Sequence, residues 1–428
     1  MKVAIIGAGF SGLTAAYHLG RKGHRVFIFE KEMESGGLAG SLTDEKWEWP
    51  LEKYYHHFFS SDKEVLKLAK ELNIKSKFFF KVPKSSVFID GNIYRFDNPR
   101  SILSFPKLNF TDKVRIGAIS FFLKINPFWK PLEKITAEKF IQISMGKNPF
   151  NIIWKPLLES KFGKDYQKIP ASWFWTRIKK RSFSLGYFEG GYSTLVDSLQ
   201  KAIIKNNGKI FLGKNVDSIK KIGEKFEIRI NGKTYSELFD KIIATVSPAT
   251  LLKIFLGFTL EEKEKINKLA SLGSLCLILE LEKSFLDDGT YWLSVNDINF
   301  PFVAVVEHTN FIDKKYYNNS HVLYICGYYP EKHEFFKFNK GELIKKFIPY
   351  LKKINKNFDD KEIEKSWLFK DSYAQPIVDT NYSNNLPQIK TSIGGFFWAS
   401  LHHVYPYDRG VNYAIKLGRK IADEIIKK

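Results

Sequence analysis

Gly7, Gly9 and Gly12 stand at the spacing G-x-G-x-x-G, and Glu30 lies eighteen positions beyond the last of them. Those four residues are suited to hold a dinucleotide. Gly7 allows a tight turn, Gly9 lets a pyrophosphate approach the backbone, and Gly12 lets a helix pack closely on a strand. Phosphates would then meet the unpaired N–H groups and positive dipole end of that helix. A carboxylate at Glu30 can accept hydrogen bonds from adenosine ribose hydroxyls. The other chemistry-bearing residues are two histidine pairs, His56-His57 and His402-His403. Imidazole titrates near neutral pH and ligates metals. No cysteine or acid cluster accompanies the pairs, so no metal is expected.

These residues need a strand, a turn and a helix to position them, and the flanking sequence supplies all three. Lys2–Ile6 is a short apolar run rich in β-branched residues, as expected of a strand buried on both faces. Residues 13–19 have helical spacing, and Gly20 and Gly23 end the helix. Arg25–Phe29 makes a second strand with Glu30 at its tip. A lone G-x-G-x-x-G is weak evidence; set between two strands with an acid at this distance, it is strong.

The stretch from Glu30 through Gly36, Gly37, Leu38, Ala39 and Gly40 to Ser41 resembles the extended motif of one flavoprotein superfamily. That superfamily contains protoporphyrinogen oxidase, phytoene desaturase, the amine oxidases and UDP-galactopyranose mutase. Many members carry Arg directly after the Gly-Gly pair; Leu38 stands there instead, which favours the oxidase-like and mutase-like branches over typical amine oxidases. The resemblance implies non-covalently bound FAD. It assigns to the cofactor Gly7, Gly9, Phe10, Ser11 and Gly12 of the first cluster, with Glu30 and Lys31. It adds Gly36, Gly37, Leu38 and Ala39 of the second cluster, and Tyr55 and His56 beside the isoalloxazine ring. Tyr187 to Gly191 is similar to the family's Y-x-x-G-G re-entry, and Val216 occupies the place of a valine whose backbone meets the adenine. Gly410-Val411-Asn412 resembles the Gly-Val-Asn of protoporphyrinogen oxidases, and it brings Arg409, Gly410, Val411 and Ala414 to the flavin. The acid usual at the end of the preceding strand is replaced by Ala399 or Ser400. Because both histidine pairs fall in segments that flank the flavin in this family, His56, His57 and His403 are the candidates for catalysis.

The expected architecture is α/β: a discontinuous Rossmann-like FAD-binding domain, an α+β substrate domain and a helical insertion. The FAD-binding parts are 1–80, 185–250 and 387–428, the substrate-domain parts 81–97 and 251–386, and the insertion 98–184. A hairpin is expected around Asp90-Gly91 and another at Asn231-Gly232. Trp47 and Trp49 fall at strand alternation. In the insertion, prolines punctuate short helical pieces rich in aromatics and lysine. Such pieces suit a membrane interface; they equally suit a helical cap with its own aromatic core.

At 428 residues, 44% of them hydrophobic, the chain can bury more than one core, and disorder is excluded. The net charge of +21 points to an anionic partner or to lysine-rich codon bias. No Arg-rich stripe or nucleic-acid motif is present, so nucleic acid is not an expected partner. Cys276 and Cys326 lie in apolar strand-like runs and read as buried free thiols. With the first strand beginning at Lys2, no leader is expected, and no run is long and apolar enough to span a bilayer. The expected location is the cytoplasm, with peripheral contact at the inner membrane as an option.

The expected activity is oxidation or desaturation of a hydrophobic or lipid-linked substrate, with oxygen or a quinone as electron acceptor. Two rival readings are a redox-neutral isomerase similar to UDP-galactopyranose mutase, with Arg100, Arg177 and Arg181 available for a diphosphate, and a flavin amine oxidase. A third is a membrane-associated protein that holds FAD without catalysis. A nicotinamide dehydrogenase would leave the second glycine cluster and the C-terminal segment without purpose.

Overall fold

A computed structural model describes residues 1–427. Its organising element is a five-stranded parallel sheet in the order Lys209–Phe211, Arg25–Phe29, Lys2–Ile6, Lys241–Ala244, Phe396–Trp398. Strands from three distant parts of the chain thus share one sheet. Alternation divides each strand between two layers. Val3, Ile5, Val26 and Ile28 face the helices Phe10–Gly20, Ser193–Lys205 and Val411–Ile426. Ala4, Ile6, Phe27 and Phe29 face a small antiparallel sheet built from Val216–Ile222, Lys225–Ile230 and Lys233–Thr234. Each such Val or Ile contributes about 1.5–3 kcal/mol by leaving water, which fixes the register of the central strands. The fold is α/β and Rossmann-like.

The second body is a seven-stranded mixed sheet, in the order Ile363–Pro376, Ser271–Leu281, His321–Tyr329, Ala304–Glu307, Thr290–Val295, Lys84–Ile89, Asn92–Arg95. One face, with Leu275, Leu277, Leu279, Leu323 and Ile325, packs under the helix Lys340–Ile354. The opposite face carries Cys276, Ile278, Tyr291, Val306, Tyr324 and Cys326 and joins the core of the parallel-sheet body. The register sets Cys276 directly opposite Cys326, with Cα atoms 4.4 Å apart, and the structure pairs them. The reading of two free thiols is thereby corrected: separation along the chain hid a cross-strand contact.

The insertion is helical, and its starts are legible locally. Asn98 and Ser101 form a capping box for Pro99–Ser104, Asn109 caps Phe110–Ile125, and Thr136 caps Ala137–Ser144. Phe150, Leu158, Phe162, Trp173, Phe174 and Trp175 form a core of their own. No helix among the described residues is long and apolar enough to cross a membrane.

Two local expectations differ from what is observed. Trp47 and Trp49 lie in a turn, where Trp47 packs on Tyr317 and Trp367 and Trp49 stacks on Tyr316 at 3.6 Å. Tertiary aromatic contacts, rather than a strand ladder, produce their alternation. The fourteen-residue strand Ile363–Pro376 left no apolar alternation to read, because it is a half-exposed sheet edge that mixes Lys, Asp and aromatic residues.

Candidate functional site

The first glycine cluster leaves the central strand in a turn that requires glycine. Gly7 has φ +105°, and a Cβ there would lie 2.6 Å from Thr245 Oγ1. A Cβ on Gly12 would collide with the Gly7 carbonyl, so the glycine helix can sit on the strand only without one. Gly9 differs from both. A Cβ there would meet nothing nearer than Gly37 Cα, at 4.0 Å, and would project into open space. The second cluster lies against the first: Gly36 pairs with Gly9 in a parallel bridge, its N–H donates to the Ala8 carbonyl at 2.9 Å, and Gly37–Ala39 forms a 3-10 turn beyond. The result is a side-chain-free cradle at a helix N-terminus. It fits a diphosphate.

Glu30 closes the cradle from the second strand. Its Oε2 accepts the Ala8 N–H at 2.7 Å and its Oε1 the Glu32 N–H at 3.0 Å, which fixes a buried carboxylate with lone pairs to spare. The Lys31 side chain is 69% exposed and sits 3.4 Å from Glu32. The chain turns outward here, at the end of the second strand. Val216 is buried at the start of the small antiparallel sheet.

The closing helix Val411–Ile426 begins beside the glycine helix. Gly410 is its N-cap, and Ser11 Oγ donates to the Ala414 carbonyl at 3.1 Å. Gly418 lets the two helices touch, for a Cβ there would overlap the Ser11 carbonyl. Asn412 does something the sequence did not announce. Its Oδ1 accepts the N–H groups of Glu64 and Val65, at 2.9 and 3.3 Å, and so caps the helix Lys63–Glu71.

Between the two bodies runs a wall of aromatic rings and imidazoles, half-buried except for the fully buried Tyr291. Tyr55 meets Trp292 edge-on at 4.7 Å, and its hydroxyl lies 3.4 Å from that of Tyr328. Arg409 reaches the Tyr328 hydroxyl and the Gln375 side-chain oxygen. His56 donates Nδ1–H to the Tyr54 carbonyl at 2.6 Å, which leaves Nε2 unprotonated, and His57 Nδ1 pairs with the Tyr291 hydroxyl at 3.1 Å. Burial lowers His56 to about 4 and His57 to about 3. Both are neutral at pH 7, which corrects the expectation that they titrate near neutrality; desolvation outweighs the intrinsic value.

His403 lies elsewhere in function. Ser400 N–H donates to its Nδ1 at 3.1 Å, and its Nε2–H donates to the Pro387 carbonyl at 3.0 Å. With both nitrogens engaged, it braces the turn Leu401–Val404, and its candidacy for proton transfer is corrected accordingly. Burial lowers it to about 4. His402 is wholly buried, bonded to the Tyr382 hydroxyl at 2.5 Å. The two pairs do not converge on a metal-sized centre among the described residues.

Sequence reading passed over Glu52, Asp408 and Lys161. Glu52 is fully buried; its Oε2 accepts from the Tyr187 hydroxyl and its Oε1 from the Tyr192 N–H, each at 2.7 Å. Burial raises it to about 7. Asp408 and Lys161, 247 positions apart, meet at 2.5 Å. The one signal available for this part of the site was Arg177 and Arg181, four residues apart in a helical stretch.

Comparison with known proteins agrees with this geometry. Residues 10–426 match the family described as flavin containing amine oxidoreductase. A 15-cis-phytoene desaturase of Synechococcus elongatus is 37% identical over 103 residues, which is 23% of this chain and 21% of that protein's length. In three dimensions the chain superimposes over its whole length on a protein assigned as a protoporphyrinogen oxidase from Exiguobacterium sp. 255-15, with a TM-score of 0.77 at 13% identity and 99% of that chain covered. It also superimposes on reduced UDP-galactopyranose mutase, with a TM-score of 0.76 at 15% identity, 100% of this chain and 95% of that one being covered. At those identities the likeness is one of fold.

Proposed function

The chain belongs to the family of flavin-containing amine oxidoreductases, and from that premise we propose that it is an FAD-dependent enzyme which oxidises or desaturates a hydrophobic or lipid-linked substrate. The observation that carries this reading is the juxtaposition of the Gly9 cradle and the N-terminus of the closing helix with an aromatic wall at Tyr55 and Trp292. Bound non-covalently in that cradle, FAD would supply the hydride acceptor, with oxygen or a quinone as the proposed electron acceptor. The protein's own residues do the rest. Glu30 and the two glycine clusters bind and orient. The Val411 end of the closing helix offers unpaired N–H groups and a positive dipole end, which favour negative charge developing beside it. His56, neutral with Nε2 unprotonated, is an acceptor for a proton rather than an acid. The apolar wall excludes water.

An anaerobic screen for flavin bleaching with isoprenoids, porphyrinogens, amines and nucleotide sugars tests the reading. Bleaching by an apolar substrate class supports it. Conversion of a nucleotide sugar by the pre-reduced protein, without net electron transfer, would establish the isomerase reading instead; the side-by-side placement of Arg177 and Arg181 favours that second reading.

We propose in addition that the insertion touches a membrane surface. Phe110, Phe121 and Phe128 are 74%, 68% and 70% exposed on and beside the helix Phe110–Ile125, which also carries Lys113 and Lys124. Exposed aromatics grouped with lysines suit a headgroup layer.

A further inference from the structure

Several basic side chains that the parallel sheet does not use gather on the inner side of the insertion. Lys161 lies on the helix Lys155–Phe162, Arg177 on Ala171–Lys180, and Arg181 at the end of the latter. Arg409 enters from the loop before the closing helix. The Trp173 indole lies between two of them, 5.2 Å from Lys161 Nζ and 5.6 Å from the Arg177 guanidinium. Arg181 sits 5.8 Å from the Phe59 ring, and Arg409 4.7 Å from the Tyr328 ring. A single acid answers three of these four basic groups. Asp408 pairs with Lys161 at 2.5 Å, and among the described residues it is the only carboxylate that acts on Arg177 and Arg181. The partners of Arg409, Gln375 and Tyr328, are neutral.

Arg177 and Arg409 are half-buried and Arg181 is exposed; desolvation and the neighbouring Arg181 push Arg177 down to about 9, and burial brings Lys161 down to about 7. Burial would raise Asp408, yet Lys161, Arg177 and Arg181 together hold it below the usual carboxylate range. Like charges held together in a partly desolvated cleft are costly unless an anion joins them.

We propose that Lys161, Arg177, Arg181 and Arg409 form a subsite for the phosphate or diphosphate head group of the substrate, whose apolar or ring-bearing remainder lies along the aromatic wall. This inference rests on the oxidoreductase reading above and names the substrate class of that same site. The three arginines alone exceed the single acid by two charges, more than a carboxylate monoanion would neutralise, whereas a phosphate ester carries about two. Planar guanidinium forks match its oxygens bidentately. The cofactor's own diphosphate has the Gly9 cradle on the parallel sheet, whereas Lys161, Arg177 and Arg181 belong to the insertion.

Calorimetry and tryptophan fluorescence on the flavin-loaded protein test this, the latter because Trp173 touches two of the cations. The probes are farnesyl diphosphate, UDP-glucose, inorganic pyrophosphate and farnesol. Phosphate-bearing probes should bind with an affinity that falls as salt rises. The double variant Arg177→Gln/Arg181→Gln should weaken their binding about tenfold to a hundredfold and leave flavin content unchanged. Arg177→Lys/Arg181→Lys, which keeps charge but loses the forks, should give a smaller loss and guards against misfolding of the first variant. Tighter binding of farnesyl diphosphate than of UDP-glucose assigns a lipid source, and the reverse assigns a nucleotide. Farnesol binding as tightly as its diphosphate, no measurable binding of any phosphate probe, or loss of flavin from both variants would overturn the subsite. A wild-type protein that retains no flavin yet still binds pyrophosphate would sink the oxidoreductase reading and leave the subsite standing.

Discussion

Ser11 donates its hydroxyl to the Ala414 carbonyl across 403 positions of sequence. That bond, with Gly418 beneath it, fastens the glycine helix to the closing helix and sets two helix N-termini side by side. The site exists because these two chain ends meet. The most direct test lies in the open space they enclose.

A large side chain at Gly9 has room to form without unfolding the turn, since a Cβ there meets only Gly37 Cα at 4.0 Å. Gly9→Leu should therefore give a folded protein without flavin. Far-ultraviolet circular dichroism should match wild type while visible flavin absorbance disappears; a yellow Gly9→Leu protein would refute the cradle.

Asn412 caps a helix from outside it. Asn412→Ala should cost about 1 kcal/mol of stability, read as a lower denaturant midpoint at unchanged slope. A larger loss of flavin than of stability would place Asn412 at the cofactor instead.

Glu52 has its pKa raised from 4.5 to about 7 by burial. The folded state then holds a proton that the unfolded state releases, so its contribution to stability falls as pH rises from 4.5 to about 7 and is flat above. Glu52→Gln keeps both hydrogen bonds, with the amide donating to Tyr187. Relative to wild type, the variant should gain roughly 2–3 kcal/mol between pH 5 and pH 8. Parallel stability curves for the two proteins would contradict the raised value.

The buried histidines act in the opposite sense. His308 and His402 are each lowered from 6.5 to about 3 by burial. Their contribution is complete above pH 6.5 and is lost as pH falls from there towards 3. His308→Gln should flatten the acid limb of the stability curve between pH 6 and pH 4. Since His56 and His57 stay neutral down to about 4 and 3, no inflection from them is expected in the rate of flavin reduction between pH 5 and pH 8. An inflection in that range that His56→Gln removes would show that the bound substrate changes their surroundings.

Replacing Phe121, Phe122 and Phe128 with Ser should abolish co-flotation with anionic vesicles while leaving thermal stability within a few degrees, because these rings are exposed. Neutral vesicles should bind wild type more weakly. Equal flotation of wild type and variant would remove the membrane contact.

The N-terminal 40 residues were legible because their instructions are local. A β-branched run, a glycine at a positive-φ turn and a helix spacing each act within a few positions, and the parallel strands Lys2–Ile6 and Arg25–Phe29 fall where the pattern put them. The helix Ser193–Lys205 and the hairpin at Asp90-Gly91 were legible for the same reason. Family resemblance extended that reading to the Gly410 turn. What tertiary structure alone decided is the company each side chain keeps. Burial turned His56 and His57 from titrating groups into neutral ones, and two backbone partners turned His403 into a brace. Packing also gathered Lys161, Arg177 and Arg181 around Asp408, with Arg409 beside Lys161. Charge, desolvation and cross-strand contact depend on distances in space, and sequence order carries no measure of those.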